Sequence, residues 1–341
     1  MSGSSSDLVT PIDSSSPVDR IDRTFEFSYR GHGLELGLIM MKNVLLTILT
    51  FGIYQFWSRV RVRKYVWSQT EIDGFRLQYT GNGMELFIGA LKVVGLYLCF
   101  LFTGNLLQWI GGGFVVLIWS IATIVAFWAA FALIILFAFR YRLTRTMYRG
   151  VRLSAQTDNL KDVVELGIVG GFLSAITLGF FYPVYMNNLH KELLTRSRYG
   201  SLKFNYTGPN RKAFVIWIKM IVLAPLTLGL YFPFYRAELL RFRAKHTTIG
   251  DAVGGGGLVQ FENAISGVDL LKIYLLAFVA VPVTLGIATP WVLTYSHRVR
   301  LSRMKAQGTI DFEKVAQSTS GTEDALGESL TQALDFNLDF G

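Results

Sequence analysis

From position 93 to position 139 the chain has no charged residue, although Lys92 and Arg140 stand at its two ends. The stretch contains VVGLYLCFLF and, further on, FVVLIWSIATIVAFWAAFALIILFAF. A helix needs about 20 apolar residues to cross the hydrocarbon of a bilayer. Two crossings, near 84–104 and 114–139, joined by the polar but uncharged TGNLLQWIGGG, account for the whole stretch. A mean hydropathy of +0.39 and 51% apolar residues over the whole chain point to the same class. The single cysteine, Cys99, lies inside the first span and excludes a disulfide framework within the chain. It reads as a small apolar packing residue.

The net charge of +9 is unevenly placed. The tail carries Asp311, Glu313, Glu323, Asp324, Glu328, Asp335 and Asp339 against Lys314, so the middle is more basic than the total. In a soluble protein such a balance would suggest nucleic acid. Here the bases flank apolar segments, and no nucleic-acid motif accompanies them; anionic lipid headgroups are the expected partner. Residues 1–22 have no basic and then apolar leader pattern and read as a disordered, Ser-rich segment. Residues 314–341 read as a disordered acidic tail with a weak helix near 325–334.

Between the tails, one phrase recurs. TFGIYQFW begins at Thr50, TLGFFYPVY at Thr177, TLGLYFPFY at Thr227 and TLGIATPW at Thr284. A basic, helical-looking stretch follows each copy. Short alternating runs rich in Phe and Tyr, ending in Gly, Asn or Pro, start near Phe25, Phe75, Val151, Leu202 and Leu258. These are the marks of half-exposed strands ending in turns. Asn82 with Glu85, and Ser266 with Asp269, have the spacing of capping boxes. The unit is therefore strand, apolar helix, Thr-x-Gly break, basic helix. Residues 23–313 form a membrane domain of about five such units of about fifty residues, the second enlarged by the two clear spans.

The strings FSYRGHGLELGLIMMKNVLLTILTFGIYQFWSRVRVRKY and FRLQYTGNGMELFIGALK resemble the YjgN family of bacterial inner-membrane proteins, a domain of unknown function. The resemblance runs over roughly residues 24–313. It implies an inner-membrane location and a general architecture, and no activity, cofactor or catalytic residue.

If every apolar segment crossed once, successive basic stretches would fall on opposite faces of the membrane, against the positive-inside rule. If every unit is a hairpin, all strands and bases lie on the cytoplasmic face, as do both termini. The break supplies the means. Gly52, Gly179, Gly229 and Gly286 can end one helix with positive φ. Pro183, Pro233 and Pro290 suit the first turn of the next. Thr50, Thr177, Thr227 and Thr284 can satisfy freed backbone groups. A single tilted span with a Gly/Pro kink is the rival reading. The expected fold is mainly α: a polytopic helical membrane protein of repeated strand–hairpin units, with short strands gathered on the cytoplasmic side.

Lys42, Lys92, Lys219 and Lys272 sit in apolar stretches, with Glu35, Glu85 and Glu165 in similar contexts. Intramembrane ions are candidates for a polar pathway or a headgroup site. The plainer reading is snorkelling lysines and acids that complement helix N-termini. Arg59, Arg61, Arg63 and Lys64 form a candidate lipid-headgroup stretch. His32, His190, His246 and His297 share no metal spacing, although His190 and His297 each follow their Thr by thirteen residues. No nucleophile–base pair, phosphate loop or cofactor motif is present. Two functions remain: transport or organisation of a lipid-like or amphipathic solute, and an envelope scaffold or regulator that binds a partner or anionic lipid.

Overall fold

The computed structural model describes residues 23–157, 159–251, 257–310, 312 and 315. The Ser-rich leader and nearly all of the acidic tail, with its expected helix near 325–334, lie outside the described residues.

β1 (Arg23–Tyr29) leads into α1 (Gly33–Leu49), which turns back as α2 (Gln55–Ser68). The strands β2 (Thr70–Ile72), β3 (Phe75–Arg76) and β4 (Gln78–Tyr79) follow. A long helix pair, α3 (Gly83–Ile110) and α4 (Gly113–Thr144), precedes β5 (Thr146–Tyr148) and β6 (Val151–Ala155). Then come α5 (Leu160–Ile176), α6 (Tyr182–Thr195), β7 (Ser197–Tyr199) and β8 (Leu202–Tyr206). Next are α7 (Asn210–Leu226), α8 (Phe232–Lys245), β9 (Thr247–Asp251) and β10 (Gly257–Asn263). The described chain closes with α9 (Gly267–Val283), α10 (Thr289–Ser302) and β11 (Met304–Gly308). Of the described helices, only α3 and α4 are long and apolar enough to cross a membrane.

All eleven strands join one antiparallel sheet in the order β3-β2-β1-β11-β10-β9-β8-β7-β6-β5-β4. The two outermost strands, β3 and β4, are separated in the chain only by Leu77, so the sheet bends round into a near-barrel. First and last strands meet: Phe25 stands opposite Ala306 in the β1–β11 ladder. The helices repeat this closure, because α10 packs on α1 and each helix otherwise packs mainly on its chain neighbours. The result is a closed crown of five hairpins standing on a ring of strands.

The expected strand starts correspond to β1, β3, β6, β8 and β10. A second strand in each unit went unread: β2, β5, β7, β9 and β11. Four of these begin at Thr70, Thr146, Ser197 and Thr247, directly after a helix. Each of these hydroxyls donates to the carbonyl four residues back, at 2.7–2.8 Å. This bond satisfies one orphan carbonyl of the helix end as the backbone turns extended.

Strand alternation sets the barrel's two faces. Phe25, Tyr148, Val151, Tyr199, Leu202, Ile249, Val259 and Ala306 form the interior core. Glu26, Lys305 and Glu262 stand side by side on the other face, where opposite charges alternate across neighbouring strands. An apolar inside and a charged outside are what a barrel in water requires.

Candidate lipid-facing bends and barrel lumen

The Thr-x-Gly phrases are bends. Each short helix ends at its Thr, and the next two residues are left-handed. Phe51, Leu178, Leu228 and Leu285 have φ of 49–50°, and Gly52, Gly179, Gly229 and Gly286 have φ of 86–91°. The glycine was expected to take this conformation; the Phe or Leu before it was not. At Gly179, the amide bonds Ser174 O at 2.7 Å while the Leu178 amide bonds Ala175 O at 3.1 Å, the double closure of a Schellman motif. The same pair of bonds recurs at the other three bends. A Cβ on any of the four glycines would meet nothing, so backbone conformation alone selects glycine.

The Thr hydroxyl completes the bend. It donates to the carbonyl four residues back at 2.6–2.8 Å and accepts the amide four residues on at 2.9–3.0 Å. Pro183, Pro233 and Pro290 sit in the first turns of α6, α8 and α10, where their missing amide leaves no gap. The chain reverses at each bend rather than kinking through it, because the start of one helix touches the end of the next. The Tyr65 hydroxyl at the end of α2 donates to Glu35 Oε2 at 3.0 Å and accepts the His32 amide at 2.8 Å. Arg145 and Tyr141 hold Glu85, each at 3.0 Å. Arg196 reaches Asp162 at 3.7 Å, and Arg303 reaches Asp269 at 3.5 Å.

Glu35 and Glu85 are therefore not immersed in the crown. Both occupy first helical turns beside the barrel, where the helix N-terminus and these partners hold them. Ser266 and Asp269 form the full capping box, whereas Asn82 caps Met84 N alone, at 3.3 Å. Lys42, Lys92, Lys219 and Lys272 stand on four different hairpins and are exposed. Lys219 pairs with Glu238 at 2.9 Å; among the described residues the other three have no ion pair, nor has the exposed Glu165. Cys99 is exposed on α3 and not packed inside. Of the basic stretch, Arg59, Arg61 and Lys64 are exposed, with the Arg61 guanidinium 5.5 Å from the Tyr54 ring centre. Arg63 instead donates to the Tyr79 hydroxyl at 3.3 Å.

That last contact explains the histidine echo. Tyr29, Tyr79 and Tyr206 end equivalent strands, and each folds over the glycine two residues later. A Cβ at Gly31, Gly81 or Gly208 would collide with the tyrosine ring. Above these rings sit His297, Arg63 and His190, each thirteen residues after its Thr. His297 lies 5.4 Å from the Tyr29 ring, and His190 meets Tyr206 edge-on at 4.9 Å. The Tyr206 hydroxyl donates to Asn187 Oδ1 at 2.8 Å, and Asn187 Nδ2 donates to Gly208 O and Asn210 Oδ1. Burial pushes the His190 imidazole down to about 3, with the Arg243 charge adding to the effect. These groups lock hairpin to barrel. Among the described residues no His, Cys, Asp and Glu cluster could hold a metal.

The barrel interior carries a second tier. Phe27, Leu77, Leu153, Phe204 and Phe261, one from each unit, pack on the core yet remain partly exposed. At the mouth remote from the helices, Phe312 and Val315 enter the same core. The Phe312 ring lies 6.1 Å from Phe25 and 6.0 Å from Tyr148. The Arg149 guanidinium is 4.1 Å from it and 4.0 Å from Phe75, so one cation bridges the two rings. Sequence reading had left both residues at the edge of a disordered tail; an apolar pair inside an acidic stretch was the available signal.

The family profile described as "Bacterial protein of unknown function (DUF898)" matches residues 24–226 and 251–333. The inner membrane protein YjgN of Escherichia coli O157:H7 is 25% identical over 262 residues, which are 77% of this chain and 58% of that protein. YjgN of Escherichia coli K12 is 36% identical over 77 residues, 23% of this chain and 19% of that protein. YjgN of Salmonella typhimurium is 32% identical over 83 residues, 24% of this chain and 20% of that protein. This chain thus spans little more than half the length of the first of these relatives, and no solved structure matches it. The closed set of strand–hairpin units described above is a member of the DUF898 family, bacterial proteins of unknown function.

Proposed function

We propose that the protein resides in the bacterial inner membrane and moves or organises a lipid-like or amphipathic solute, without catalysing a reaction. The location is the one its relatives' names carry. One observation carries the solute class: the partly exposed tier of Phe27, Leu77, Leu153, Phe204 and Phe261, an apolar surface from all five units inside a barrel whose outside is charged. An acyl chain suits such a lining, and a charged solute does not. Phe312 and Val315 then act as the stopper of the far mouth. The charge distribution favours a barrel on the cytoplasmic side with both termini there.

The test is to purify the full chain with its native lipids and photo-crosslink it with a diazirine-bearing acyl lipid. Crosslinks map to the Phe204 and Phe261 tier, and Phe204→Gln with Phe261→Gln reduces them. Lys203→Gln, on the outer face, leaves them unchanged. Absence of any interior crosslink would sink the reading. For sidedness, Arg61→Cys and Lys203→Cys react with an impermeant maleimide from the cytoplasmic side only.

A second reading, an envelope scaffold or regulator that grips anionic lipid, is favoured by the exposed Arg59, Arg61 and Lys64. Neutralising these three separates the readings. Loss of function with intact interior crosslinking supports the scaffold. Replacing Lys42 and Lys219 with Leu strikes the transport reading instead.

A further inference from the structure

We infer that the four short hairpins, α1–α2, α5–α6, α7–α8 and α9–α10, enter the bilayer from the barrel side and turn back near its midplane. In this arrangement α3–α4 alone crosses, and the partner of the four bends is the acyl-chain region of one leaflet. The inference rests on the membrane placement proposed above.

Length sets the frame. The first helices of the short hairpins all have 17 residues, and α3 has 28. At about 1.5 Å per residue these are roughly 25 Å and roughly 42 Å, a difference of about 17 Å. One leaflet contributes about 15 Å of hydrocarbon. All these helices start from the same ring of strands. When the α3–α4 turn reaches the far surface, the short bends stop about one leaflet below it.

The two kinds of turn are built for different solvents. The α3–α4 turn is Gly111, Gly112 and Gly113, with Asn105 and Gln108 close by, and it suits water. The short bends carry no charged residue at all. Their outermost residues are Phe51, Leu178, Leu228 and Leu285, which are 89–99% exposed. In water a left-handed position before glycine would favour Asn or Gly, since an ordinary side chain there costs about 1–2 kcal/mol. A Phe or Leu at all four places is accounted for if lipid surrounds it. Hydrocarbon also demands that every amide be bonded internally. From Thr227 to Phe232 each amide has a partner, the Tyr231 amide through the Thr227 hydroxyl, and Pro233 has no amide to satisfy. The bends at Thr177 and Thr284 repeat the pattern, and the bend at Thr50 repeats its bonds as far as Gln55, with Phe56 in the place of the proline.

The basic helices limit the depth. Arg59, Arg61, Arg63 and Lys64 lie about 6–14 Å along α2 from its start at the bend. Were the bend at the far surface, Arg63 and Lys64 would sit at the bilayer centre. With the bend at the midplane Arg63 and Lys64 reach the near headgroups, and Arg59 and Arg61, about 6 and 9 Å along, extend their long side chains toward them.

The test uses the full chain with Cys99→Ser, reconstituted in liposomes and carrying one nitroxide. Labels are placed at Phe51→Cys, Leu178→Cys, Leu228→Cys or Leu285→Cys, with references at Gly112→Cys and Lys203→Cys. Collision with oxygen and with a water-soluble nickel chelate gives depth. At the four bends, chelate collisions fall roughly tenfold below both references, because the chelate does not enter hydrocarbon. Chelate access equal to Gly112→Cys would mean full crossings and overturn the inference. Access equal to Lys203→Cys would mean hairpins lying on the surface and overturn it equally. If Gly112→Cys and Lys203→Cys are reached from the same side of the vesicle, the spanning placement itself fails, an outcome distinct from either.

Discussion

The barrel and the crown of helices are turned inside out with respect to each other. In β1 the inward residues are Phe25, Phe27 and Tyr29, and the outward ones are Glu26 and Ser28. In α1 the outward stripe is Leu34, Leu38, Met41, Leu45 and Ile48, all more than half exposed. Only Leu36 and Asn43 are buried in that helix. Barrel and crown meet at the same structural place in each unit. A Tyr-x-Gly turn marks it at Tyr29, Tyr79 and Tyr206, and a first-turn acid at Glu35, Glu85, Asp162 and Asp269; there ring packing and ion pairs replace the hydrophobic sorting used on either side. In the barrel, burial away from water is the driving force. With the crown in lipid, as proposed above, that force is absent there, and close packing together with complete backbone bonding takes over.

The largest effect should come from reversing this sorting in the barrel. Val259 is 2% exposed in the interior, and Gln307 faces outward on the neighbouring strand. Val259→Glu buries an unpaired carboxylate and should remove the folded protein, a loss above about 3 kcal/mol. Gln307→Glu should change stability by less than about 0.5 kcal/mol. Thermal unfolding in detergent, followed by gel filtration, checks both. Equal effects would show that the barrel has no inside. Next is the junction. Tyr206→Phe leaves the buried Asn187 Oδ1 without the donor now 2.8 Å away and should cost about 1–3 kcal/mol. The same substitution at Tyr97, exposed on α3, should cost nothing measurable.

The bends were legible because Gly, Pro and Thr each have a local backbone role that survives without tertiary context. The same is true of Glu85 and Asp269 near helix starts. The strands after each helix were not legible: TEI and TMY are three residues long, too short for alternation to register. Only the Thr or Ser at their first position marks them. Ring closure was also hidden, since β1 and β11 lie at opposite ends of the described chain and no local pattern pairs them. The left-handed Leu178 was missed because propensity in water argues against it, which is why it informs about solvent. The depth proposed for the short hairpins could not be read locally either: seventeen apolar residues are close to a span, and only the 28 residues of α3, rising from the same ring of strands, set a scale against them.

A smaller effect probes the bends themselves. Thr227→Val keeps the shape and removes the hydroxyl that accepts the Tyr231 amide at 3.0 Å. If hydrocarbon surrounds the bend, the freed amide finds no water, and the variant should lose about 1–2 kcal/mol in bilayers. In a small-micelle detergent, where water reaches the bend, the loss should shrink. Thr24→Val, exposed on β1 opposite Gln307, should show no such dependence on the surrounding medium. Steric trapping in bicelles against unfolding in micelles makes the comparison.

The smallest effect is expected from acid, and it falls on the junction between the two regions. His190 belongs to the barrel end of α6, packed on Tyr206, with Arg243 as the neighbouring charge. Its pKa is lowered to about 3 in the folded protein, so the imidazole stays neutral there. The unfolded chain takes up the proton near pH 6.5. Below that pH the unfolded state binds more protons, and stability must fall as the pH falls. The contribution is fully present above pH 7 and should have dropped by about 1 kcal/mol at pH 6. His190→Gln should flatten this part of the stability profile. A profile between pH 7.5 and 5.5 that is unchanged by His190→Gln would mean that the junction is open to water, and that the boundary between the two solvents lies elsewhere.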